Sequence, residues 1–268
     1  MVNYYVKRTA KAILTVYVVI TLTFGLTRML PGSPAQRVAG RLQALGYTQE
    51  QIQIVLKNIG FNPNVPVHQK FIDYIISLHT GSMGQSIRVG GGGVPVTKII
   101  ADALPWTVML TVISIVIFFS IALTVGAVMA YREGSFFDTT NSTLAIAFSG
   151  IPFFVMAIVL VFIFGQILGW FPTARRFGLE STPGFTLSFL GDVLYHAALP
   201  IASIVLSRYG TRALAMRGNS ISILGKGYVE VAKLRGLPER VIALRYVGRN
   251  AVLPMYTGVL LSFGWVLG

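Results

Sequence analysis

Trp106–Ala130, WTVMLTVISIVIFFSIALTVGAVMA, contains no charged residue and is long enough to cross the ~30 Å hydrocarbon core of a bilayer as one helix rising ~1.5 Å per residue. The rest of the chain matches it. Hydrophobic residues make up 54% of the 268 residues and mean hydropathy is +0.69, while 12% are charged, against roughly 25% in a soluble domain. The chain therefore reads as an all-α, polytopic helical membrane protein. Its 22 Lys and Arg against 9 acids give +13. In a soluble protein that excess would suggest nucleic acid, but here it is read by location, and no nucleic-acid partner is expected. Cysteine is absent, which excludes a disulfide framework and thiolate chemistry.

Four more apolar segments, Ala10–Leu30, Leu144–Phe171, Val193–Ser207 with an apolar extension, and Ala251–Gly268, bring the expected spans to five. The first follows Lys7, Arg8 and Lys11, as in a signal peptide. Its apolar run is long for one and ends in Leu30-Pro31-Gly32 without a small-residue cleavage pattern, so it reads as a retained span. Pro152 and Pro200 fall inside apolar segments, where loss of a backbone donor is expected to kink the helix, as packing geometry or as a gate. The first-span basic cluster, Arg132, and nine Lys/Arg against two Glu between Arg208 and Arg249 should share the cytoplasmic side of the cell membrane. That places the N-terminus inside, and Gly32–Ala103 and Pro172–Asp192 outside.

Three regions are expected: 1–31 with the first span, an outer segment at 32–103, and a transmembrane core at 104–268. In the outer segment Thr48 and Gln51 have capping-box spacing, Ile52, Val55, Leu56 and Ile59 repeat at helical intervals, and Gly60 sits at a helix stop. A second amphipathic helix is predicted over Val67–Leu78, with Phe71, Ile72, Ile75 and Ile76 on its apolar side. Gly90–Gly93 reads as a flexible link, since a phosphate cradle needs a preceding strand and a following Lys-Ser/Thr.

Catalytic chemistry is not evident. Gly225-Lys226 lacks the earlier glycine and the following Ser/Thr of a Walker A motif, so the chain is read as no enzyme and as binding no ATP itself. His68, His79 and His196 have no i, i+4 partner and do not form a metal site, and Asp102, Asp138 and Asp192 fall near span ends rather than forming a proton relay. The stretch Tyr228–Pro254, YVEVAKLRGLPERVIALRYVGRNAVLP, is instead basic and water-facing. Ile221, Leu224, Tyr228 and Val231 are spaced for one helix face. Gly236 suits a left-handed cap, and Pro238 with Glu239 opens a second helix to about Arg249. A helix, tight turn and helix result, suited to docking a protein or to anchoring on anionic lipid.

The spacing of Glu230, Ala232, Gly236 and Pro254 resembles the EAA coupling loop, here about 218–251, of permeases in the dipeptide, oligopeptide and nickel branch of ABC importers. Further stretches resemble that branch in order: Leu30-Pro31-Gly32-Ser33-Pro34, Gly81-Ser82-Met83-Gly84-Gln85-Ser86, Pro95-Val96, Leu104-Pro105-Trp106-Thr107, Gly134-Ser135-Phe136-Phe137-Asp138, Ser149-Gly150-Ile151-Pro152 and Gly169-Trp170-Phe171-Pro172. Val231 departs from a common second alanine, and Ser222, Lys226 and Gly227 replace acidic residues, leaving the loop more basic. Relatives have a sixth span, so with five present a last one is expected beyond Gly268.

The resemblance implies a permease that forms half of a translocation path for peptides, with nickel complexes or oligosaccharides as alternative cargo. It implies a homologous second permease, two cytoplasmic ATPases that consume the ATP, and an external substrate-binding protein, all around a chain embedded in the lipid bilayer. Glu230, Ala232, Gly236, Leu237 and Pro238 would dock the ATPase. A secondary transporter and a membrane-anchored receptor subunit are the rival classes, separable by gradient-driven uptake without ATP and by binding without transport.

Overall fold

A computed structural model describes residues 2–29, 34–58, 65–86 and 94–267, and the chain divides into two compact units, Met1–Leu104 and Pro105–Gly268. The first unit begins with α1, Val2–Met29, which takes in both the basic start and the first apolar run. Short helices follow: α2 (Pro34–Ala44), α3 (Gln49–Asn58) and α4 (Val67–His79). The capping box forms as its spacing predicts. The Thr48 N–H donates to Gln51 Oε1 at 2.9 Å and the Gln51 N–H to Thr48 Oγ1 at 3.4 Å, and Ile52 behind them is buried. α4 meets α1 through Phe24 against Phe71 and Tyr74, and through the Tyr17 hydroxyl at 2.6 Å from His79 Nε2. Ile72 and Ile76, expected on the covered side of α4, are more than half exposed.

Three elements of this unit, one helix and two short strands, have no counterpart in the sequence reading. Pro34 opens α2, the helical position where its missing N–H costs nothing. β1 (Gln85–Ser86) pairs antiparallel with β2 (Val94–Pro95) in the register Gln85↔Pro95 and Ser86↔Val94, a minor exception to an all-α fold. The expected stop at Gly60, the Gly90–Gly93 link, most of the Leu30–Pro34 motif and Gly268 lie outside the described residues.

Helix α5, Val96–Tyr131, leads into the second unit, where α6 (Phe136–Ser149), α7 (Phe153–Leu160, continuing as a π-helical segment Val161–Ile167) and α8 (Leu187–Leu224) follow. Three short helices, α9 (Gly227–Leu234), α10 (Glu239–Val241) and α11 (Arg249–Ala251), precede α12 (Leu253–Leu267). Among the described residues, Asn3–Thr27, Val96–Tyr131 and Leu187–Leu224 are long and apolar enough to cross a membrane singly. The bent pair α6 with α7 would make a fourth, and the apolar helix Leu253–Ser262 is shorter.

The third expected segment, Leu144–Phe171, is thus not one straight span. It breaks by 98° between Ser149 and Phe153. Pro152, with φ −56° and ψ 141°, is the extended N-cap of α7 rather than a kink inside a helix, because proline offers no N–H and forces the residue before it out of the α region. α6 begins well before Leu144, since Ser135 Oγ accepts the Asp138 N–H at 3.2 Å and starts the helix across the polar Thr139–Thr143 run. α8 differs in the other direction. It continues through Pro200 and past Ser207 to Leu224, 38 residues or about 57 Å, so Arg208, Arg212 and Arg217 are helical rather than in a loop.

α8 is the axis of this unit, and small residues let its neighbours approach. A Cβ at Gly210 would overlap the backbone of Ala145 on α6, and one at Gly126 of α5 would overlap the Ala213 carbonyl and lie 2.8 Å from Met216 Cβ. Close backbone approach of this kind is how helices associate where lipid removes the hydrophobic drive. Around the crossings, Ile115, Phe118 and Phe119 of α5 pack with Ala197, Ile201, Val205 and Met216 of α8, while Met156 and Leu160 of α7 pack on Leu199. At the end of α8 near its start, Asp192 accepts from the Gly178 N–H at 2.7 Å and from Ser181 Oγ at 2.6 Å, folding the Pro172–Thr186 segment onto the helix. Replacing Gly210 by Leu should cost about 3 kcal/mol through overpacking. Gly218→Leu, on an open face of the same helix, should cost far less; thermal midpoints of the two variants in detergent check the contrast.

Candidate functional site

The Tyr228–Pro254 stretch forms a compact helical hairpin on the end of α8. α8 stops at Gly225, and extended Lys226, with φ −83° and ψ 140°, serves as N-cap of α9. Glu230 falls in the first turn of α9, where a carboxylate suits the positive helix end. α9 closes on Gly236, whose φ of +67° is the left-handed conformation expected from the sequence. The Gly236 N–H donates to Lys233 O at 2.9 Å and the Leu237 N–H to Ala232 O at 3.3 Å, the paired bonds of a Schellman motif. Pro238 then caps the second helix, accepting the Val241 and Ile242 N–H groups at 2.8 and 3.2 Å. That helix runs from α10 through π-helical Ile242–Gly248 into α11, two residues beyond the expected end.

A small core holds the hairpin. Val229, Ala232, Ile242 and Val247 are buried together, with Ile223, Leu224, Leu237 and Tyr246 against them. The helix face expected from Ile221, Leu224, Tyr228 and Val231 is corrected here. Tyr228 is 45% and Val231 54% exposed, because the break at Gly225–Lys226 resets the helical phase and turns Val229 and Ala232 inward instead. Tyr228, Val231 and Leu234, the last 82% exposed, therefore form an outward apolar stripe beside Glu230.

Half-buried Asn219 ties the hairpin to α8, and Arg217 ties α8 in turn to α6. Asn219 Nδ2 donates to the Ala251 carbonyl at 3.3 Å. Two residues earlier on α8, Arg217 grips Asp138 with Nε to Oδ1 at 2.6 Å and Nη2 to Oδ2 at 2.7 Å. Asp138 is 3% exposed and also accepts from the Gly134 N–H at 3.0 Å and Ser142 Oγ at 3.4 Å, while Glu133 stands 3.6 Å from Arg217. Both carboxylate oxygens are thus occupied, and a fork-to-fork geometry fixes orientation as well as distance.

The family described as binding-protein-dependent transport system inner membrane component matches residues 122–268, and its N-terminal counterpart matches residues 1–111. The chain belongs to this family. It is an ABC importer permease, a multi-pass component of the inner membrane. A Brucella abortus (strain 2308) protein, named as a permease of a peptide transport system, is 29% identical over 251 residues, covering 94% of this chain and 75% of its own. The glutathione transport system permease protein GsiC of Pectobacterium atrosepticum is 29% identical over 268 residues, 100% of this chain and 80% of the relative. GsiC of Escherichia coli (strain K12) is 27% identical over the same spans.

Within this permease, Glu230, Ala232, Gly236, Leu237 and Pro238 lie together in the hairpin: Glu230, Gly236 and Pro238 at the surface, Ala232 in the small core, Leu237 half-buried against it. Pro152 and Pro200 do not join them. Pro152 marks the α6–α7 bend, and Pro200 lies 24 residues before Leu224, about 36 Å along α8. The Asp138–Arg217 pair went unseen in the sequence because the partners are 79 residues apart, although Gly134-Ser135-Phe136-Phe137-Asp138 carried the helix-start spacing. Asp138→Ala should destabilise the permease by about 3 kcal/mol, the low end for breaking a buried pair, since Arg217 keeps some water access. Asp138→Leu combined with Arg217→Met should recover much of that loss in thermal midpoint, because no unpaired charge remains.

Proposed function

We propose that this permease forms half of the membrane path of a peptide importer and takes its driving force from two separate ATPases docked on the α9 hairpin. ATP is then used by those partners and not by this chain. The single observation that supports docking is the outward stripe Tyr228, Val231 and Leu234 beside Glu230, on a helix fixed at both ends by backbone caps. Exposed apolar residues at i, i+3 and i+6 on a rigid helix suit a groove on another protein. Coupling then works through differential contact: ATP binding favours one arrangement of the hairpin, α8, tied to it by Asn219, follows, and α6, tied to α8 by Arg217, follows in turn.

A homologous second permease completes the path and an external binding protein delivers the cargo. Peptides are the proposed cargo because the relatives' names assign them to peptide and glutathione transport systems. The excess of positive charge on the hairpin, Arg132 and the N-terminus supports a cytoplasmic location for all three.

Gly236→Pro should abolish binding-protein-dependent uptake and ATPase co-purification while the protein still inserts. Proline can neither adopt φ +67° nor donate to Lys233. Undiminished uptake would overturn the coupling role. For topology, single cysteines at exposed Lys226 and Ser82 of this cysteine-free chain, treated with an impermeant thiol reagent on intact cells, should label only at Ser82.

A further inference from the structure

Behind the α9 hairpin lies a cavity of about 670 Å³, within the ~300–1,000 Å³ range of ligand pockets. Its walls are the last turns of α5, the π-helical side of the hairpin and the start of α12. Along α5 the lining passes from mostly apolar to charged. On α5, apolar Leu123, Ala127 and Val128 give way at the helix end to Tyr131 and Arg132, about 13 Å further on. On the opposite wall Arg249 stands at the hairpin end, followed by Val252 and Tyr256 along α12. Arg132 and Arg249 are exposed, and neither guanidinium has an ion-pair partner among the described residues. The only carboxylate in the lining is Glu239, which faces the Tyr131 hydroxyl.

We propose that this groove binds one anionic phospholipid, with its phosphate between Arg132 and Arg249 and an acyl chain along Leu123, Ala127, Val128 and Val252. A mostly apolar trough between the membrane span α5 and the apolar helix α12 that ends in two cations and the Tyr131 hydroxyl matches an amphiphile in its order of polarity. A soluble phosphate would satisfy the arginines but leave the trough uncovered. The lipid then wedges the second hairpin helix against α5 and α12, apart from the outward stripe of α9, none of whose residues lines the cavity. The proposal needs only the membrane-spanning character of the chain, so it stands or falls apart from ATPase docking.

Native mass spectrometry of the purified permease, alone and in its assembled transporter, with palmitoyl-oleoyl phosphatidylglycerol, phosphatidylcholine or phosphatidylethanolamine tests it. Phosphatidylglycerol should be retained in preference to the other two. R132Q/R249Q should weaken that retention on the order of tenfold, R132K/R249K should keep most of it, and E239Q should strengthen it by removing a like charge. Equal retention of the three lipids, or undiminished phosphatidylglycerol binding by R132Q/R249Q, would overturn the proposal. So would E239Q shifting preference away from phosphatidylethanolamine with loss of lipid, which would make Glu239 an ammonium ligand. A cysteine at exposed Leu244 should be shielded by lipid and cross-link to no partner subunit; a protein cross-link there in the assembled transporter would assign the groove to that protein instead.

Discussion

The bidentate bond between Arg217 and Asp138 is the constraint on which the second unit turns. The Asp138 carboxylate, 3% exposed, would be expensive alone, and it is made tolerable by half-buried Arg217 and by the Gly134 and Ser142 donors. Because Asp138 sits in the first turn of α6 and Arg217 near the end of α8, the pair fixes the α5–α6 connection against the helix that carries the hairpin. A hydrophobic contact in the same place would hold the helices together but let them slide. The fork geometry does not permit sliding, and the backbone crossings at Gly210 and Gly126 allow little separation. Motion applied at the hairpin is therefore passed on by rigid displacement rather than lost in local repacking.

The hairpin is built to be stiff in the same sense. Its two caps satisfy backbone groups without help from a partner, and its core contains only four fully covered side chains. A core that small contributes modest stability, so the caps and the Asn219–Ala251 bond carry a large share of the hairpin's order. The π-helical turn from Ile242 to Gly248 widens the second helix where it faces the groove, and such segments recur at sites with a role beyond packing.

Features whose cause is local were legible in the sequence, and those whose cause is distant were not. Thr48 with Gln51, Gly236 and Pro238 act through backbone geometry within a few residues, and each appears where spacing placed it. Apolar length located α1, α5 and α8 as spans for the same reason, but not the bent pair α6 and α7 or the shorter α12. The π-helical turns have no compositional mark, and the outward turn of Tyr228 and Val231 depended on a phase reset at Gly225–Lys226 that periodicity carried straight through. Pro152 was legible as an interruption, but not the 98° bend, because the bend is set by how α6 and α7 pack on α8. The Asp138–Arg217 pair required the fold itself: charge near a span end reads as interfacial until a second helix brings its counter-ion.

Basic sequence in the hairpin first supports two incompatible readings, lipid anchoring and protein docking, when it is treated as a single amphipathic surface. The folded hairpin has two sides with different chemistry. α9 turns Tyr228, Val231, Leu234 and Glu230 outward on a surface that no membrane helix covers, which is the side suited to an ATPase groove. The second helix turns Ala243, Leu244 and Arg249 toward α5 and α12, where the apolar trough and the unpaired arginines suit an anionic lipid. The proposed lipid and the proposed ATPase would thus contact different helices of the same hairpin. Where two such ligands bias the position of one rigid body, linkage requires that each change the other's affinity by the same factor.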